Sequence, residues 1–253
     1  MSTDLERAER TCVLAGTTGA EEVVHVGPVT LLRCPTIPTS PMLNRVVELG
    51  VHTPATEAQL DEIAATMTGF RHYVAVSPRA TPATLPAWLA ARNYQPSWGW
   101  MLFTRGVEEL ALQPSDVTVA AVDRTRAADF ARIVAEGYGM PSVIHPLLET
   151  ICDRPGWQAF VAEARGLPIG AAALFVADRV GYLGFAATLA DFRGRGAQSA
   201  LLAARIRRAR ELGCDLVTTE TGERVPDRPS SSYRNILRAG FRERHVVANY
   251  ITG

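Results

Sequence analysis

Arginine and glycine alternate in one short segment, Arg193-Gly-Arg-Gly-Ala-Gln-Ser199, which follows an apolar stretch and precedes an amphipathic one. This order predicts a strand, a turn and the start of a helix. The first turn of a helix has free backbone N–H groups and a partial positive charge. Glycines let those groups approach an anion closely, and arginines add bidentate donors for phosphate oxygens. The segment therefore predicts a phosphate-binding site.

The kind of phosphate ligand is limited by what the segment lacks. It contains no Gly-Lys-Ser/Thr and is not a Walker P-loop. Gly194-x-Gly196 is followed by Ser199 where a dinucleotide fingerprint has a third glycine, and the motif lies late in the chain. The alternative without a function is a solvated turn that leads into an ordinary helix.

The spacing Arg193-x-x-Gly196 after a strand resembles the pyrophosphate loop of the GNAT superfamily of N-acetyltransferases, whose motif reads Arg/Gln-x-x-Gly-x-Gly/Ala. Gln198 departs from its last position. The segment from Tyr233 to Phe241 resembles the later family motif, in which a helix ends in Gly-Phe. The resemblance covers roughly residues 117–253. It implies acetyl-CoA as the acyl donor and transfer of its acetyl group to a primary amine of an unidentified acceptor.

The resemblance also implies where coenzyme A binds. Its pantetheine arm is expected along the end of the preceding strand, where a backbone N–H polarises the thioester carbonyl. Asn235 is expected to contact the cofactor or else to cap backbone. The expected cofactor-binding residues are Ala187, Thr188, Leu189, Arg193, Gly194, Arg195, Gly196, Ala197, Gln198, Ser199 and Asn235.

Two residues are predicted to move protons. Glu220, at the end of a strand, is the first candidate for the general base, with a solvated carboxylate as the alternative. Glu149 is a second candidate, although a surface helix pair explains it as well. In many members of the family a tyrosine acts as the general acid, and its position here is Ile236. Tyr233, one helical turn earlier, is therefore the candidate acid, and core packing is the alternative explanation for it. Tyr250 is a weaker substitute.

Strands alternate with helices along the chain, which predicts an α/β fold with a mixed α+β sheet. The element order from Val117 onward resembles the acyl-CoA N-acyltransferase fold. A shift of 147 residues places Tyr94 on Phe241 and Leu89 on Ile236, each pair in a helix–strand unit. We therefore predict two tandem GNAT-like domains. The alternative is that any two α/β segments look alike at this level.

The predicted domains are a degenerate N-terminal copy at residues 1–112 and a catalytic domain at residues 116–253. Where the second copy has its phosphate loop, the first has Thr53-Pro-Ala-Thr-Glu57, with neither arginine nor glycine. The first copy is therefore expected not to bind coenzyme A.

Composition limits the other functional classes. The 26 basic and 26 acidic residues balance, so a nucleic-acid partner is not expected. The N-terminus has no apolar core of a secretory signal, and no apolar run approaches the ~18 residues of a membrane span. The four cysteines form no C-x-x-C pair, so neither a metal site nor a disulfide framework is expected. A cytoplasmic protein, either monomer or homodimer, is predicted.

Two other functions remain open. The first alternative to the transferase is a non-catalytic acyl-CoA sensor or pseudo-enzyme, for which the departures at Gln198 and Ile236 are an argument. The arginines at positions 205, 207, 208 and 210 could form a nucleic-acid or partner surface, although a solvated outer helix face explains them as well. The tryptophans are candidates for an apolar acceptor pocket, with core packing as the alternative; those considered are Trp98, Trp100 and Trp157.

Overall fold

The structure is a computed structural model that describes residues 3–111, 115–225 and 230–252. Its α-helices are α1 (Asp4–Gly19), α2 (Glu57–Thr66), α3 (Leu85–Ala91), α4 (Ala127–Tyr138), α5 (His145–Glu149), α6 (Ala197–Glu211) and α7 (Ser231–Arg238). Its strands are β1 (Glu22–Val26), β2 (Val29–Arg33), β3 (Arg45–Val47), β4 (Tyr73–Val76), β5 (Tyr94–Arg105), β6 (Val117–Val122), β7 (Trp157–Ala164), β8 (Leu167–Ala177), β9 (Val180–Thr188), β10 (Leu216–Gly222) and β11 (Arg242–Thr252).

The described parts of the chain form two compact units, and neither is one continuous segment. The larger unit comprises residues 1–19, 103–220 and 230–244, and the smaller unit comprises residues 20–102, 221–229 and 245–253. Helix α1 therefore belongs to the larger unit, and most of β11 belongs to the smaller one. The predicted domain limits, 1–112 and 116–253, stay a prediction.

The smaller unit has the strand order β1-β2-β3-β4-β11. Strands β1 to β3 are antiparallel neighbours, β3 and β4 are parallel, and β11 adds to β4 antiparallel through Ala248–Ile251. Helix α2 begins with the predicted capping box. The Thr56 side chain accepts a hydrogen bond from the Gln59 backbone N–H, and the Gln59 side chain accepts one from the Thr56 backbone N–H. Apolar residues of α2 and α3 form one core with the sheet, among them Ile63, Val74 and Leu89.

The larger unit has the strand order β10-β9-β8-β7-β6. Strands β6 to β9 are antiparallel neighbours, and β10 is parallel to β9, reached through the crossover helix α6. The turn between β7 and β8 lies at the predicted Arg165-Gly166, both with positive φ. Helices α4 and α6 contact β8 and β9. The prediction of a mixed α/β sheet is confirmed.

Within the described ranges, no helix has the length and apolar character required to cross a membrane.

Candidate coenzyme A site

The predicted phosphate loop joins β9 to α6 in the larger unit. A short 3-10 turn, Ala190–Phe192, follows the strand, and Gly194 and Gly196 then take φ values of 81° and 86°. L-residues with a side chain rarely adopt this left-handed region, which explains glycine at both positions. Gly196 is the residue before α6, and no side chain caps the helix there. The first N–H groups of α6 are therefore available to an anion.

The charged side chains of this loop lie in solvent. Arg193 and Arg195 are exposed, and the Arg195 guanidinium lies 5.3 Å from the centroid of the Phe192 ring. Gln198, the departure from the family motif, is half-buried. Its amide donates a 2.9 Å hydrogen bond to the Thr188 hydroxyl at the end of β9. Gln198 thus joins the loop to the strand.

The backbone ladder between β9 and β10 ends before either strand does. Their parallel ladder includes only Val180–Tyr182 against Leu216–Thr218. Beyond it, the Thr219 hydroxyl donates to the Leu183 carbonyl at 2.8 Å. The described register pairs no later residue of β9 with β10. An extended ligand can add along that edge as another strand would.

Strand β9 also carries a β-bulge on its other side. Its register with β8 shifts between Ala171 and Ala173, and the ladder leaves out Phe185. Phe185 has φ of 51°, which is uncommon for an aromatic residue. Bulges redirect backbone groups next to functional sites.

The prediction that Arg205 belongs to an outer helix face is wrong, because Arg205 is only 1% exposed. Its guanidinium reaches the bulge and donates to three carbonyls, those of Leu201, Ala173 and Gly184. Burial lowers the pKa of Arg205 to about 10, so the group stays charged at neutral pH. Arg207 and Arg210 do lie on the exposed face.

Sequence reasoning missed Tyr138, at the end of α4. A Cβ added at the preceding Gly137 would overlap the Cβ of Ala187, so glycine allows α4 to approach β9 closely. Tyr138 is 38% exposed as a residue, but desolvation at its hydroxyl end raises the pKa of that group, whereas the charge of Arg205 and a backbone hydrogen bond with Ala186 act in the opposite direction. The sequence around Gly137 and Tyr138 does not indicate this position, because the contact depends on how β9 folds.

The structure places the candidate acid Tyr233 in the core of the larger unit. Tyr233 is 4% exposed, and its ring packs edge-on against Phe103 with centroids 4.9 Å apart. Its hydroxyl donates to the exposed carboxylate of Glu243. Ile236, at the family's tyrosine position, is buried. The role of Tyr233 as acid stays a prediction.

The remaining candidates lie in different places. Glu220 is half-buried at the last residue that β10 contributes to the larger unit, and Asn235 is half-buried on α7. Glu149 is half-buried at the end of α5. Tyr250 belongs to the smaller unit, with Trp98 and Trp100, whereas Trp157 belongs to the larger one. Among the described residues, no group of three or more His, Cys, Asp or Glu is placed to hold a metal ion.

A family model matches the part of the chain that contains this loop and the crossover helix. Residues 127–227 match the model described as "Acetyltransferase (GNAT) family". Over this range the chain matches the GNAT family. The matched segment starts at α4 and includes β9, the phosphate loop, α6 and β10.

Solved structures extend the likeness to nearly the whole chain. A GCN5-related N-acetyltransferase from Kribbella flavida is 20% identical with a TM-score of 0.67, over 97% of this chain and 95% of that one. A GCN5-related N-acetyltransferase from Sphaerobacter thermophilus is 15% identical with a TM-score of 0.64, over 89% and 76%. A tandem GNAT protein from the clavulanic acid biosynthesis pathway is 14% identical with a TM-score of 0.63, over 94% and 86%.

At these identities the likeness establishes the fold alone. The predicted tandem GNAT arrangement and the acyl-CoA N-acyltransferase fold are confirmed. No curated protein shows a significant sequence match to the chain.

Proposed function

We propose that the protein is an N-acetyltransferase that moves an acetyl group from acetyl-CoA to a primary amine. The observation that carries the proposal is the loop of the larger unit, where two left-handed glycines and two exposed arginines precede an uncapped helix. Just before this loop, the end of β9 has an edge that is not paired with β10. A phosphate group and an extended arm are the ligand features that these two surfaces fit.

Each part of the site has a proposed binding role. The N–H groups of Ala197 to Ser199, with Arg193 and Arg195, would hold the pyrophosphate. Residues Ala187–Leu189 would pair with the pantetheine arm, and Asn235 would contact the cofactor from α7. When bound, acetyl-CoA supplies an activated acetyl group. The smaller unit has no comparable loop at Thr53–Glu57, so we expect one coenzyme per chain.

Proton transfer is assigned to two side chains. Glu220 would take a proton from the acceptor amine, directly or through water, since general bases contribute about 10²–10⁴ in rate. Tyr233 would give a proton to the departing thiolate, for which its hydroxyl must turn from the Glu243 carboxylate to which it donates in this structure. A cytoplasmic location and a monomeric or homodimeric state also remain predictions.

Calorimetric titration with coenzyme A tests the binding part of the proposal. We expect one site per chain, and an affinity that falls about tenfold or more in Arg193→Ala, because charge-assisted hydrogen bonds to phosphate are lost. Arg210→Ala is the matched control, since Arg210 is also exposed but lies at the other end of α6 from the loop. Absence of binding, or two sites per chain, would contradict the proposal.

An acceptor screen tests the catalytic part. Acetyl-CoA is incubated with a panel of amines that includes amino acids, polyamines, aminoglycosides and peptides, and free coenzyme A is followed with a thiol reagent. Amine-dependent release supports a transferase. The second candidate, a non-catalytic acyl-CoA sensor, is favoured by the buried Ile236 and by the engagement of Tyr233 with Glu243. Binding of coenzyme A without release for any amine would favour that sensor.

A further inference from the structure

Arg205 is a charged residue in an apolar position. It lies four residues from Leu201 and four from Ala209, both fully buried, so it shares their helix face. Removing a guanidinium from water is unfavourable unless its donors are satisfied. Among the residues that the structure describes, no carboxylate pairs with it, and its guanidinium donates to three backbone carbonyls. A leucine or methionine would fill this position without that penalty.

Two of those carbonyls flank the bulge. One nitrogen, Nη1, donates to Ala173 on β8 at 3.2 Å and to Gly184 on β9 at 3.3 Å. Ala173 and Gly184 are the last pair of the ladder before the register shifts. The guanidinium therefore holds the two strands at the point where the bulge begins.

The direction of the Gly184 carbonyl fixes the direction of the next N–H. The Gly184–Phe185 peptide is trans, because the one cis bond of the described chain is Thr81–Pro82. In a planar trans peptide, the C=O and the N–H point in opposite directions. The Leu183 carbonyl accepts from Thr219 of β10, and the carbonyls of successive strand residues point to opposite edges, so the Gly184 carbonyl points toward β8, where Arg205 donates to it. The Phe185 N–H therefore points toward the opposite edge of β9. On that edge the backbone ladder with β10 ends at Tyr182, and the Thr219 side chain contacts the next carbonyl, that of Leu183.

We propose that Arg205 is a positioning residue, which holds the Gly184–Phe185 peptide so that the Phe185 N–H faces the split between β9 and β10 and polarises the acyl carbonyl. This inference rests on the proposed function, since it assumes that an acyl-CoA lies along β9. Arg205 itself does not touch the substrate. It acts from the far side of the strand, through one peptide group.

The test compares two ligands that differ only at the carbonyl. Acetyl-CoA and S-ethyl-CoA are titrated by calorimetry without an amine acceptor. We expect the wild-type protein to prefer acetyl-CoA by about fivefold, the ratio that one neutral hydrogen bond of typical strength provides. In Arg205→Met the ratio should fall to near one, while the affinity for S-ethyl-CoA changes by less than about threefold. Once an acceptor is known, kcat should fall on the order of a hundredfold with little change in KM.

Arg207→Met is the matched control, because Arg207 is an exposed arginine two residues away on the same helix. It should keep the wild-type ratio. Arg205→Met with an unchanged ratio, or with equal loss for both ligands, would overturn the proposal and leave Arg205 a purely structural role. Wild-type protein that binds neither ligand would overturn the proposed function and this inference together.

A second measurement needs no variant at position 205 and remains available if Arg205→Met does not fold. In protein labelled with ¹⁵N-phenylalanine, the Phe185 amide resonance, assigned with Phe185→Leu, should shift with acetyl-CoA and much less with S-ethyl-CoA. Equal shifts with the two ligands would overturn the proposal.

Discussion

Gly196 and Gly213 lie at opposite ends of α6, with φ values of 86° and 79°. An alanine at either position is strained by about 1–2 kcal/mol, because its Cβ crowds the backbone in the left-handed region. Gly196→Ala should therefore lower the free energy of unfolding by about that amount. It should also weaken coenzyme A binding by about tenfold, since the amides before α6 shift relative to the phosphate. Chemical denaturation and calorimetric titration measure the two effects.

Gly213→Ala separates strain from binding. An added Cβ there meets no atom within 4 Å, so the variant carries the backbone strain alone. It should lose similar stability and keep its affinity for coenzyme A. If both variants bind coenzyme A like the wild type, the loop is not the phosphate site.

Tyr233→Phe tests the proposed acid. If Tyr233 protonates the thiolate, kcat should fall by about 10² or more while coenzyme A affinity is unchanged. Loss of the hydrogen bond to Glu243 alone would instead lower stability by about 1 kcal/mol and leave kcat unaltered. Steady-state kinetics beside thermal unfolding distinguishes the two. Unchanged kcat rules Tyr233 out as the acid.

Among the helices, strands and turns, the sequence predicted those features that depend on residues close together in the chain. The Thr56–Gln59 capping box, the Arg165-Gly166 turn and the loop before α6 each need particular residue types at short spacing, and the structure contains all three. Helix α1 was missed. It buries small or polar residues, Ala8, Thr11 and Ala15, whose packing is favourable only against the larger unit.

Arg205 shows why part of the site could not be predicted. The sequence predicted Arg205 on the outer face, although it is four residues from both Leu201 and Ala209, because a charged residue is rarely buried without partners. Two of those partners are the carbonyls of Ala173 and Gly184, the pair at which the bulge begins, and the bulge depends on strand pairing distant in sequence. Likewise, no local signal indicates that β11 completes the sheet of the smaller unit through β4.

A buried histidine, His72, makes the stability of the smaller unit depend on pH. His72 is buried just before β4, with Nδ1 2.8 Å from the Phe70 carbonyl and Nε2 2.8 Å from the hydroxyl of Tyr94. Burial lowers the pKa of His72 below its ordinary 6.5, so the folded state keeps the ring neutral. The unfolded chain binds a proton below pH 6.5 and the folded chain does not until lower pH. This contribution to stability is therefore present above pH 6.5 and is lost as pH falls below it.

The expected slope is up to about 1.4 kcal/mol per pH unit for one proton. His72→Gln should flatten the fall in unfolding free energy between pH 7 and pH 5, measured by urea denaturation. His52→Gln is the control, because His52 is an exposed histidine of the same unit. An unaltered slope in His72→Gln would show that His72 does not set it.

At the scale of the whole molecule, both units contain cysteines whose thiol reactivity can be measured. Cys34 lies in the smaller unit, and Cys152 and Cys214 lie in the larger one. Burial raises the pKa of Cys34 and of Cys152 to about 11, and it also raises the pKa of Cys214, because a thiolate is poorly solvated there. The thiolate is the reactive form, so two pKa units correspond to about a hundredfold slower reaction at pH 8.

Native protein at pH 8 should therefore give at most one fast thiol, Cys12, with a disulfide-exchange reagent, and four thiols per chain in urea. Since the slow thiols are distributed over both units, the reaction rate in increasing urea also shows whether the units unfold together or one after the other. Four fast thiols in the native protein would contradict the burial of these side chains. Slow protein thiols would also leave released coenzyme A as the main signal in the acceptor screen, so acetyl transfer can be followed directly.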